Sequence, residues 1–293
     1  MRNRIFVFVD SIRYEEKSII TALRNRKLPM SVRSISSLPF STANVKMYNK
    51  AIAIVRIPAF FKSTTTASML GSAGATVINP PENLYTFGRK SRTDLWLANR
   101  GLPNIEAYLA ISTDAALSAA GKLGYPVVVK PDIGGFGRRV HLVENSVQLL
   151  QLAETIMDLA TPYNRFIYIQ KFIDFAHDLR LVVLNGRILA IMERFKNGSF
   201  SKNISQGGYG NLVSMSMVPA NLVKQLKEHL PFGLYGVDVL LSSNGVIHIC
   251  EINANCQFKE FEKVTGVNVG ERLVDELEKL MSPKCPKSME KVE

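Results

Sequence analysis

The sequence predicts a mixed α/β (α+β) fold that begins with a small lobe built around a mostly parallel sheet. Short apolar runs at 5–9, 51–55 and 75–78 have the length and composition of buried strands, and a helical pattern at 12–26 separates the first two. Further strand patterns occur at 125–130, 140–143, 166–171, 179–185, 187–194, 234–241 and 245–252. A chain of 293 residues is long enough for two or three such lobes.

Helix signals divide these strand patterns. A short helix is predicted at 93–100 and stops at Gly101. A second helix is predicted at 113–123, with Ser112 or Thr113 as its N-cap. A closing helix at 269–280 is followed by a tail, so we expect lobes at 1–85, 86–170 and 171–282, with 283–293 outside them.

The positive charge of the chain is concentrated near its N-terminus. Residues 1–100 contain 16 Lys and Arg against 5 Asp and Glu, whereas the rest holds 20 of each sign. Such a lobe attracts acidic partners, which leaves an acidic protein, an anionic small molecule, nucleic acid or a merely solubilising surface open. Aromatic-interleaved or Arg-rich nucleic-acid motifs are missing, which disfavours nucleic acid.

Composition also bears on location. The three cysteines are sparse and lack metal-binding spacing, which is typical of a reducing cytoplasm. No apolar run approaches the roughly 20 residues that cross a bilayer, so we expect no membrane partner.

A lysine and a glycine-rich turn suggest a phosphate site. The strand at 125–130 ends in Lys130, and three glycines follow within the turn 134–138. Glycines let backbone N–H groups approach phosphate oxygens, while a lysine adds a point charge. The turn is not a Walker A loop, and an ordinary glycine-rich hairpin remains an alternative interpretation.

Three oxygen-bearing side chains suggest a metal site. Glu251 and Asn253 lie two residues apart in a predicted strand, so they leave the same face. Asp238 lies on the preceding strand, which the turn 243–245 folds back beside it. Carboxylate and amide oxygens are the ligands that magnesium prefers, and buried carboxylates without partners are costly.

Together the motifs resemble those of ATP-grasp ligases of the RimK type, and within that group the LysX and ArgX ligases, which attach an acidic amino acid to the carrier protein LysW. The motifs run from residue 8 to 275. They are Asp10-Ser-Ile-Arg-Tyr-Glu-Glu-Lys17, Val129-Lys-Pro-Asp-Ile-Gly-Gly-Phe-Gly-Arg138, Tyr168-Ile-Gln-Lys-Phe-Ile173, Asp178-Leu-Arg180, Asn203-Ile-Ser-Gln-Gly-Gly208, Glu251-Ile-Asn253 and Thr265-Gly-Val267. Their order and spacing carry the resemblance, since each motif alone is weak.

The resemblance implies two sheet-bearing lobes that clamp ATP, and it implies roles for particular residues. Asp238, Glu251 and Asn253 would hold one or two Mg²⁺ ions, and Arg180, Arg194 and Asn203 would be catalytic at the γ-phosphate and the acyl phosphate. ATP would contact Lys90, Lys130, Gly134, Gly135, Phe136, Gly137, Arg138, Gln170, Lys171, Phe172, Ile173, Arg194 and Asn203.

Substrate residues are predicted in two places. Asp10, Arg13 and Arg56 follow strands of the parallel lobe, where ligands of such sheets gather. The second place is Gln257, Phe258, Lys259, Glu260 and Phe261. In the LysX and ArgX ligases the pair after Phe-Lys separates aminoadipate from glutamate enzymes, and Glu260-Phe261 matches neither form.

The chain departs from the family elsewhere too. Lys171 stands where the hinge usually has glutamate, Arg89 precedes Lys90 where an acidic or polar residue is common, and Arg194 follows Glu193 where relatives often have paired arginines. These changes bear on nucleotide affinity more than on the type of reaction.

These features predict an ATP-dependent carboxylate–amine ligase that uses an acyl-phosphate intermediate, in lysine or arginine biosynthesis. Its partners would be a free amino acid and an acidic carrier protein or anionic small-molecule acceptor. A RimK-type glutamate ligase acting on a cofactor or protein tail, and an ATP-binding module without catalysis, remain alternatives. The resemblance also implies a homo-oligomer.

Overall fold

The computed structural model describes residues 4–37, 41, 45–134, 139–159, 165–195 and 209–282. These residues form two compact units. The first contains the residues up to Pro81 together with those from Gln257 onward, and the second is Glu82–Cys256. Within the described ranges, no helix is long and apolar enough to cross a membrane.

The first unit contains a four-stranded parallel sheet in the order β2-β1-β3-β4. Its strands are β1 (Ile5–Val9), β2 (Met30–Ser34), β3 (Ile52–Arg56) and β4 (Thr76–Ile78), and its first helices are α1 (Tyr14–Asn25) and α2 (Phe60–Ser72). Strands β1 and β3 are buried at every position, as expected of central parallel strands covered on both faces. The predicted parallel lobe is confirmed.

Two helices from the C-terminal part of the chain complete this unit. They are α8 (Lys259–Thr265) and α9 (Val269–Met281), and α9 packs closely against α1. Gly270 permits this approach, because a Cβ there would lie 2.5 Å from Oγ of Ser18. The sequence pattern placed this segment in a lobe of 171–282, whereas it belongs to the first compact unit. An amphipathic pattern does not indicate which part of the chain a helix packs against.

The second unit begins with α3 (Pro81–Phe87), which shares Pro81 with the first unit, and α4 (Lys90–Ala98). A four-stranded antiparallel sheet follows in the order β5-β8-β6-β7, made of β5 (Ala107–Ala110), β6 (Val127–Lys130), β7 (His141–Val143) and β8 (Ile167–Lys171). Helices α5 (Thr113–Leu123) and α6 (Ser146–Leu159) cover one face. The predicted helix 113–123 is confirmed, with the Ser112 hydroxyl accepting from the N–H of Ala115 at its start.

A five-stranded antiparallel sheet completes this unit, in the order β11-β10-β9-β12-β13. Its strands are β9 (Phe175–Leu184), β10 (Arg187–Phe195), β11 (Tyr209–Val213), β12 (Leu234–Ser242) and β13 (Ile247–Asn253), and helix α7 (Ala220–His229) connects β11 to β12. Asn185 and Gly186 both have positive φ in the turn between β9 and β10, as an Asn-Gly hairpin requires. Strand β12 lies between β9 and β13, and these three strands supply most of the charged residues described next.

Candidate active site

Two arginines and two aspartates form a buried cluster on the five-stranded sheet. Asp238 of β12 pairs in register with Arg180 of β9, and Nε of Arg180 lies 2.6 Å from its Oδ1. Arg194 of β10 contacts Oδ1 of Asp178 at 2.5 Å through Nη2 and Oδ2 of Asp238 at 3.5 Å through Nη1. The cluster pairs two cations with two anions, which is how a protein tolerates buried charge.

Electrostatics keep the cluster ionised around Arg194. Burial alone would lower the pKa of Arg194, but Asp238 and Asp178 raise it above its usual value. Burial raises the pKa of Asp178, although the adjacent Arg194 lowers it. Arg194 therefore stays a cation in a position from which water is largely excluded.

The predicted metal ligands lie on neighbouring strands. Asp238 is directly opposite Glu251, and Gly236 is opposite Asn253, so the register brings all three predicted ligands to adjoining positions. Oδ1 of Asp238 is buried and lies 2.6 Å from Nε of Arg180, an ion pair without hydrogen-bond geometry. The two carboxylates and the amide form an oxygen-only donor set, which fits a hard divalent cation. Within the described ranges no group of three His, Cys, Asp or Glu residues could hold a metal, and the metal role of Asp238, Glu251 and Asn253 stays a prediction.

Both predicted phosphate lysines lie beside β13. Nζ of Lys90, at the start of α4, is 3.9 Å from Oε1 of Glu251 and donates to the carbonyl of Gly134 at 2.7 Å. Lys130 is only 8% exposed, and its Nζ lies 3.9 Å from Sγ of Cys250. The structure thus brings two ammonium groups close to the strand that carries two predicted metal ligands.

Helix α4 is anchored to the end of β6 by Asp132. The carboxylate of Asp132 accepts from the backbone N–H of Ser91 at 2.9 Å and from Nε of Arg89 at 2.7 Å. Burial would lower the pKa of Arg89, but Asp132 raises it above its usual value. Arg89, which departs from the family pattern, therefore has a structural partner that fixes the helix carrying Lys90.

A buried polar chain leads away from Lys130. Its Nζ donates to Oε1 of Gln170 at 2.8 Å, and Nε2 of Gln170 donates to the hydroxyl of Tyr168 at 2.9 Å. The Tyr168 hydroxyl donates in turn to Oδ2 of Asp94 in α4. Sequence reasoning missed Asp94 as a site residue, and the only available signal was a carboxylate inside a short helix next to apolar positions.

Asp94 and Tyr168 both have perturbed ionisation. Burial raises the pKa of Asp94 to about 6, with Tyr168, Lys130 and Lys90 lowering it and Asp132 raising it. Burial and the neighbouring Asp94 raise the pKa of Tyr168 well above its usual value. The tyrosine therefore keeps its proton and acts as a donor near neutral pH.

The predicted adenine segment joins the two sheets of the second unit. Gln170 and Lys171 end β8, and Phe172 and Ile173 lie between β8 and β9. The side chain of Gln170 is buried toward Lys130, whereas Lys171 is exposed and its backbone N–H donates to Glu106. Contact of this segment with adenine stays a prediction.

Some predicted residues lie outside the described ranges. These are Gly135, Phe136, Gly137, Arg138 and Asn203. Gly134, the last described residue before the turn, has a φ of 135° and accepts from Lys90, as noted above.

In the first unit, the predicted substrate arginines share one buried carboxylate. Oε1 of Glu16 lies 2.6 Å from Nη2 of Arg13 and 3.4 Å from Nε of Arg56. Burial raises the pKa of Glu16, but Arg13 and Arg56 bring it below its usual value. Asp10 is paired with Lys62 at 3.2 Å. Glu16 lies in the motif 10–17 that contributes to the resemblance, but no role was predicted for it from the sequence.

The predicted substrate segment is tied to the same helix. The carboxylate of Glu15 accepts from the backbone N–H groups of Phe258 at 3.1 Å and Lys259 at 3.2 Å. Phe258 and Phe261 are 1% exposed, so they belong to the core of this unit. Gln257 is exposed.

Glu260 points outward. Its side chain is 41% exposed and lies 3.9 Å from Nζ of Lys263 in the same helix. A glutamate turned to solvent does not repel an acidic substrate as an inward one would. Substrate roles for this segment stay predictions.

The sheets and the site define the ATP-grasp class of fold. A solved RimK domain ATP-grasp protein from Sphaerobacter thermophilus is similar, with a TM-score of 0.72 and 21% identity over 93% of this chain and 98% of that one. The ligase PsnB, solved with a variant precursor, Mg and ADP, is similar with a TM-score of 0.72 at 14% identity, covering 95% of this chain and 98% of that one. Both likenesses confirm the predicted fold.

A model of the RimK-like ATP-grasp domain matches residues 89–277, so the chain belongs to the RimK-like ATP-grasp family. The chain is 28% identical over 275 residues to the glutamate–LysW ligase ArgX of Sulfolobus acidocaldarius, covering 92% of this chain and 96% of the relative. The prediction of an ATP-dependent ligase is confirmed at the level of the family.

Proposed function

We propose that the chain joins an acidic amino acid, α-aminoadipate or glutamate, to the C-terminal glutamate of an acidic carrier protein of the LysW kind. ATP would convert the carrier carboxylate to an acyl phosphate and leave as ADP, and attack by the amine would form the amide and release phosphate. The observation that carries this proposal is the proximity of Lys90 to Glu251, next to the buried cluster of Arg194 and Asp238. The likeness to ArgX over nearly its full length supports the choice of carrier.

The charged side chains of the second unit suit this chemistry. The ammonium groups of Lys90 and Lys130 would neutralise phosphate oxygens, and the guanidinium groups of Arg180 and Arg194 would stabilise charge on the transferred group, together with Asn203. Arg194 keeps its charge in a buried setting, where its electrostatic effect is stronger than in water.

Mg²⁺ would screen the phosphate charge and orient the terminal phosphate. Asp238, Glu251 and Asn253 would hold it, which fits their adjoining positions on β12 and β13 and their oxygen-only donors. The solved PsnB complex of the same fold contains Mg and ADP, which supports this assignment.

The first unit suits an acidic carrier. The first unit contains 19 Lys and Arg against 11 Asp and Glu, an excess of 8 out of the chain's net charge of +11, and positive surfaces speed the encounter with acidic proteins. In the same unit, Glu16 fixes the buried Arg56 and the half-buried Arg13 in position. Two guanidinium groups held in fixed positions suit recognition of a carboxylate.

The test is a phosphate-release assay with Mg·ATP, glutamate or α-aminoadipate, and a set of acceptors. We expect release only when an amino acid and an acidic carrier protein ending in glutamate are both present. Release with a small cofactor acid or a glutamate-ended peptide in place of the carrier would favour the other RimK-type activity. Release that ignores the amino acid would refute the ligase proposal.

A matched pair of variants separates catalysis from nucleotide binding. Glu251→Gln should abolish turnover because it removes a charged metal ligand, whereas Glu228→Gln changes an exposed glutamate of α7 and should leave turnover unchanged. A protein that only binds ATP would show no acceptor-dependent turnover in either variant. Mass spectrometry of the carrier should show one added amino-acid residue.

A further inference from the structure

The hydrogen-bonded chain that runs from Lys130 to Asp94 links a strand face to a helix through four buried side chains. Lys130, Gln170, Tyr168 and Asp94 are each at most 9% exposed. They come from three elements, β6, β8 and α4, and consecutive members are joined by hydrogen bonds. Burying polar side chains costs free energy unless each polar group has a hydrogen-bond partner.

The direction of every hydrogen bond in this chain is set by Lys130. An ammonium group can only donate, so Gln170 must turn its Oε1 toward Lys130 and its Nε2 toward Tyr168. The Tyr168 hydroxyl accepts that N–H and must send its own proton elsewhere. Asp94 is the acceptor that receives it.

Removing this acceptor would allow the chain to reverse. The Tyr168 hydroxyl could then donate to Gln170, whose amide would have to flip and present its NH₂ group to Lys130. Two donors cannot bond each other, so the Lys130 ammonium would lose its fixed partner. The orientation of Lys130 thus depends on Asp94, although the two side chains share no hydrogen bond.

We propose that Asp94 and Tyr168 are positioning residues that order Gln170 and so fix the Lys130 ammonium for the phosphates of ATP. Gln170 uses one N–H of the ammonium and Sγ of Cys250 lies within reach of a second, which leaves the third for phosphate oxygens. This inference rests on the proposed ATP site. It differs from a merely structural network because it predicts weaker nucleotide binding in addition to lower stability.

The second unit offers a control for the loss of a buried tyrosine hydroxyl. Tyr235 is fully buried, and its hydroxyl accepts from Nδ2 of Asn83 at 2.7 Å. The Tyr235 hydroxyl also donates to the carbonyl of Phe232, and in the part of the chain that the structure describes neither hydrogen bond leads to Lys130. Tyr235→Phe therefore removes a comparable hydrogen bond without disturbing the chain that positions the lysine.

The experiment measures the dissociation constant of Mg·ATP by isothermal titration calorimetry, without amino acid or acceptor. Tyr168→Phe should weaken binding about tenfold, the worth of one buried hydrogen bond, while Tyr235→Phe should stay within about twofold of the unchanged protein. Asp94→Ala should weaken binding as Tyr168→Phe does. Asp94→Asn keeps an acceptor of the same shape and should restore binding to within about threefold.

The outcomes separate this inference from the proposed function. If the unchanged protein binds Mg·ATP and Lys130→Met does not, but Tyr168→Phe behaves like Tyr235→Phe, the positioning role is wrong and the ATP site stands. Asp94→Asn binding as weakly as Asp94→Ala would also overturn it. If Lys130→Met binds as well as the unchanged protein, the assignment of the phosphate site fails, and the positioning role with it. Thermal unfolding of each variant checks the fold. If Tyr168→Phe does not fold, the comparison of Asp94→Ala with the near-isosteric Asp94→Asn carries the test.

Discussion

Asp94 should make the stability of the protein depend on pH in a way that Asp94→Asn abolishes. Its carboxyl group is buried in α4, and burial raises its pKa from 3.8 to about 6. Between these two values the folded protein holds a proton that the unfolded chain has released. The contribution of Asp94 to the free energy of unfolding therefore falls as pH rises from about 4 to about 6, and levels off above that.

The size of this effect follows from the shift. A difference of about two pKa units corresponds to roughly 3 kcal/mol, at about 1.4 kcal/mol for each unit. This contribution is fully present below the unfolded pKa of Asp94 and is lost once pH passes the folded pKa. Asparagine cannot ionise, so the variant lacks this contribution to the slope at every pH.

Urea unfolding of both proteins at intervals from pH 4 to pH 7 tests the prediction. The stability of the unchanged protein minus that of Asp94→Asn should fall by roughly 2–3 kcal/mol across this range, because all other groups titrate in both. Asp114→Asn, which alters an exposed carboxylate in α5, supplies the reference for removing a surface charge. Parallel curves for the unchanged protein and Asp94→Asn would refute the argument from burial.

Two glycines give further predictions. Gly270→Ala should lower the free energy of unfolding by about 1–3 kcal/mol, because its Cβ would lie 2.5 Å from Oγ of Ser18, whereas Gly121→Ala in α5 meets no atom within 4 Å and should be neutral or stabilising by up to about 1 kcal/mol in urea unfolding. Gly236→Ala would place a Cβ against Nη1 of Arg180. We expect phosphate release at saturating ATP to fall by more than the fraction of the variant that is unfolded at the assay temperature. A loss of release equal to the unfolded fraction would contradict a role for Arg180 in turnover.

The elements that sequence predicted best have strong apolar signals. Strands β1 and β3 are continuous buried runs, and α5 has both a Ser cap and a glycine after its end. The pattern did not predict α2, whose buried stripe contains one large apolar residue, Leu70, beside Ser63 and Ala67, with three threonines between them. It also missed β2, an edge strand that is half-buried throughout. In both elements the buried and exposed positions differ little in hydrophobicity, so the sequence pattern does not reveal them.

Site residues divide along similar lines. The resemblance to RimK-type ligases assigned Arg180, Arg194 and Asp238 to one predicted site, and the structure brings these three side chains together. Asp94 could not be assigned from the sequence, because its partner Tyr168 is 74 residues away and the contact depends on how α4 packs against β8. Glu15 is hidden for the same reason, since it binds backbone N–H groups at Phe258 and Lys259. Backbone partners leave no pattern in the sequence.

Asp238 lies between the arginines that would stabilise phosphate charge and the other predicted metal ligands. It lies on the strand between β9 and β13, opposite Arg180 on one side and Glu251 on the other. A cation bound at Asp238 would compete with the two arginines for the same carboxylate. Arg180 would then become available to phosphate oxygens, whereas Arg194 would keep its contact with Asp178. Metal binding and the availability of Arg180 for phosphate would therefore be coupled through one side chain, because a single carboxylate cannot fully satisfy three positive partners.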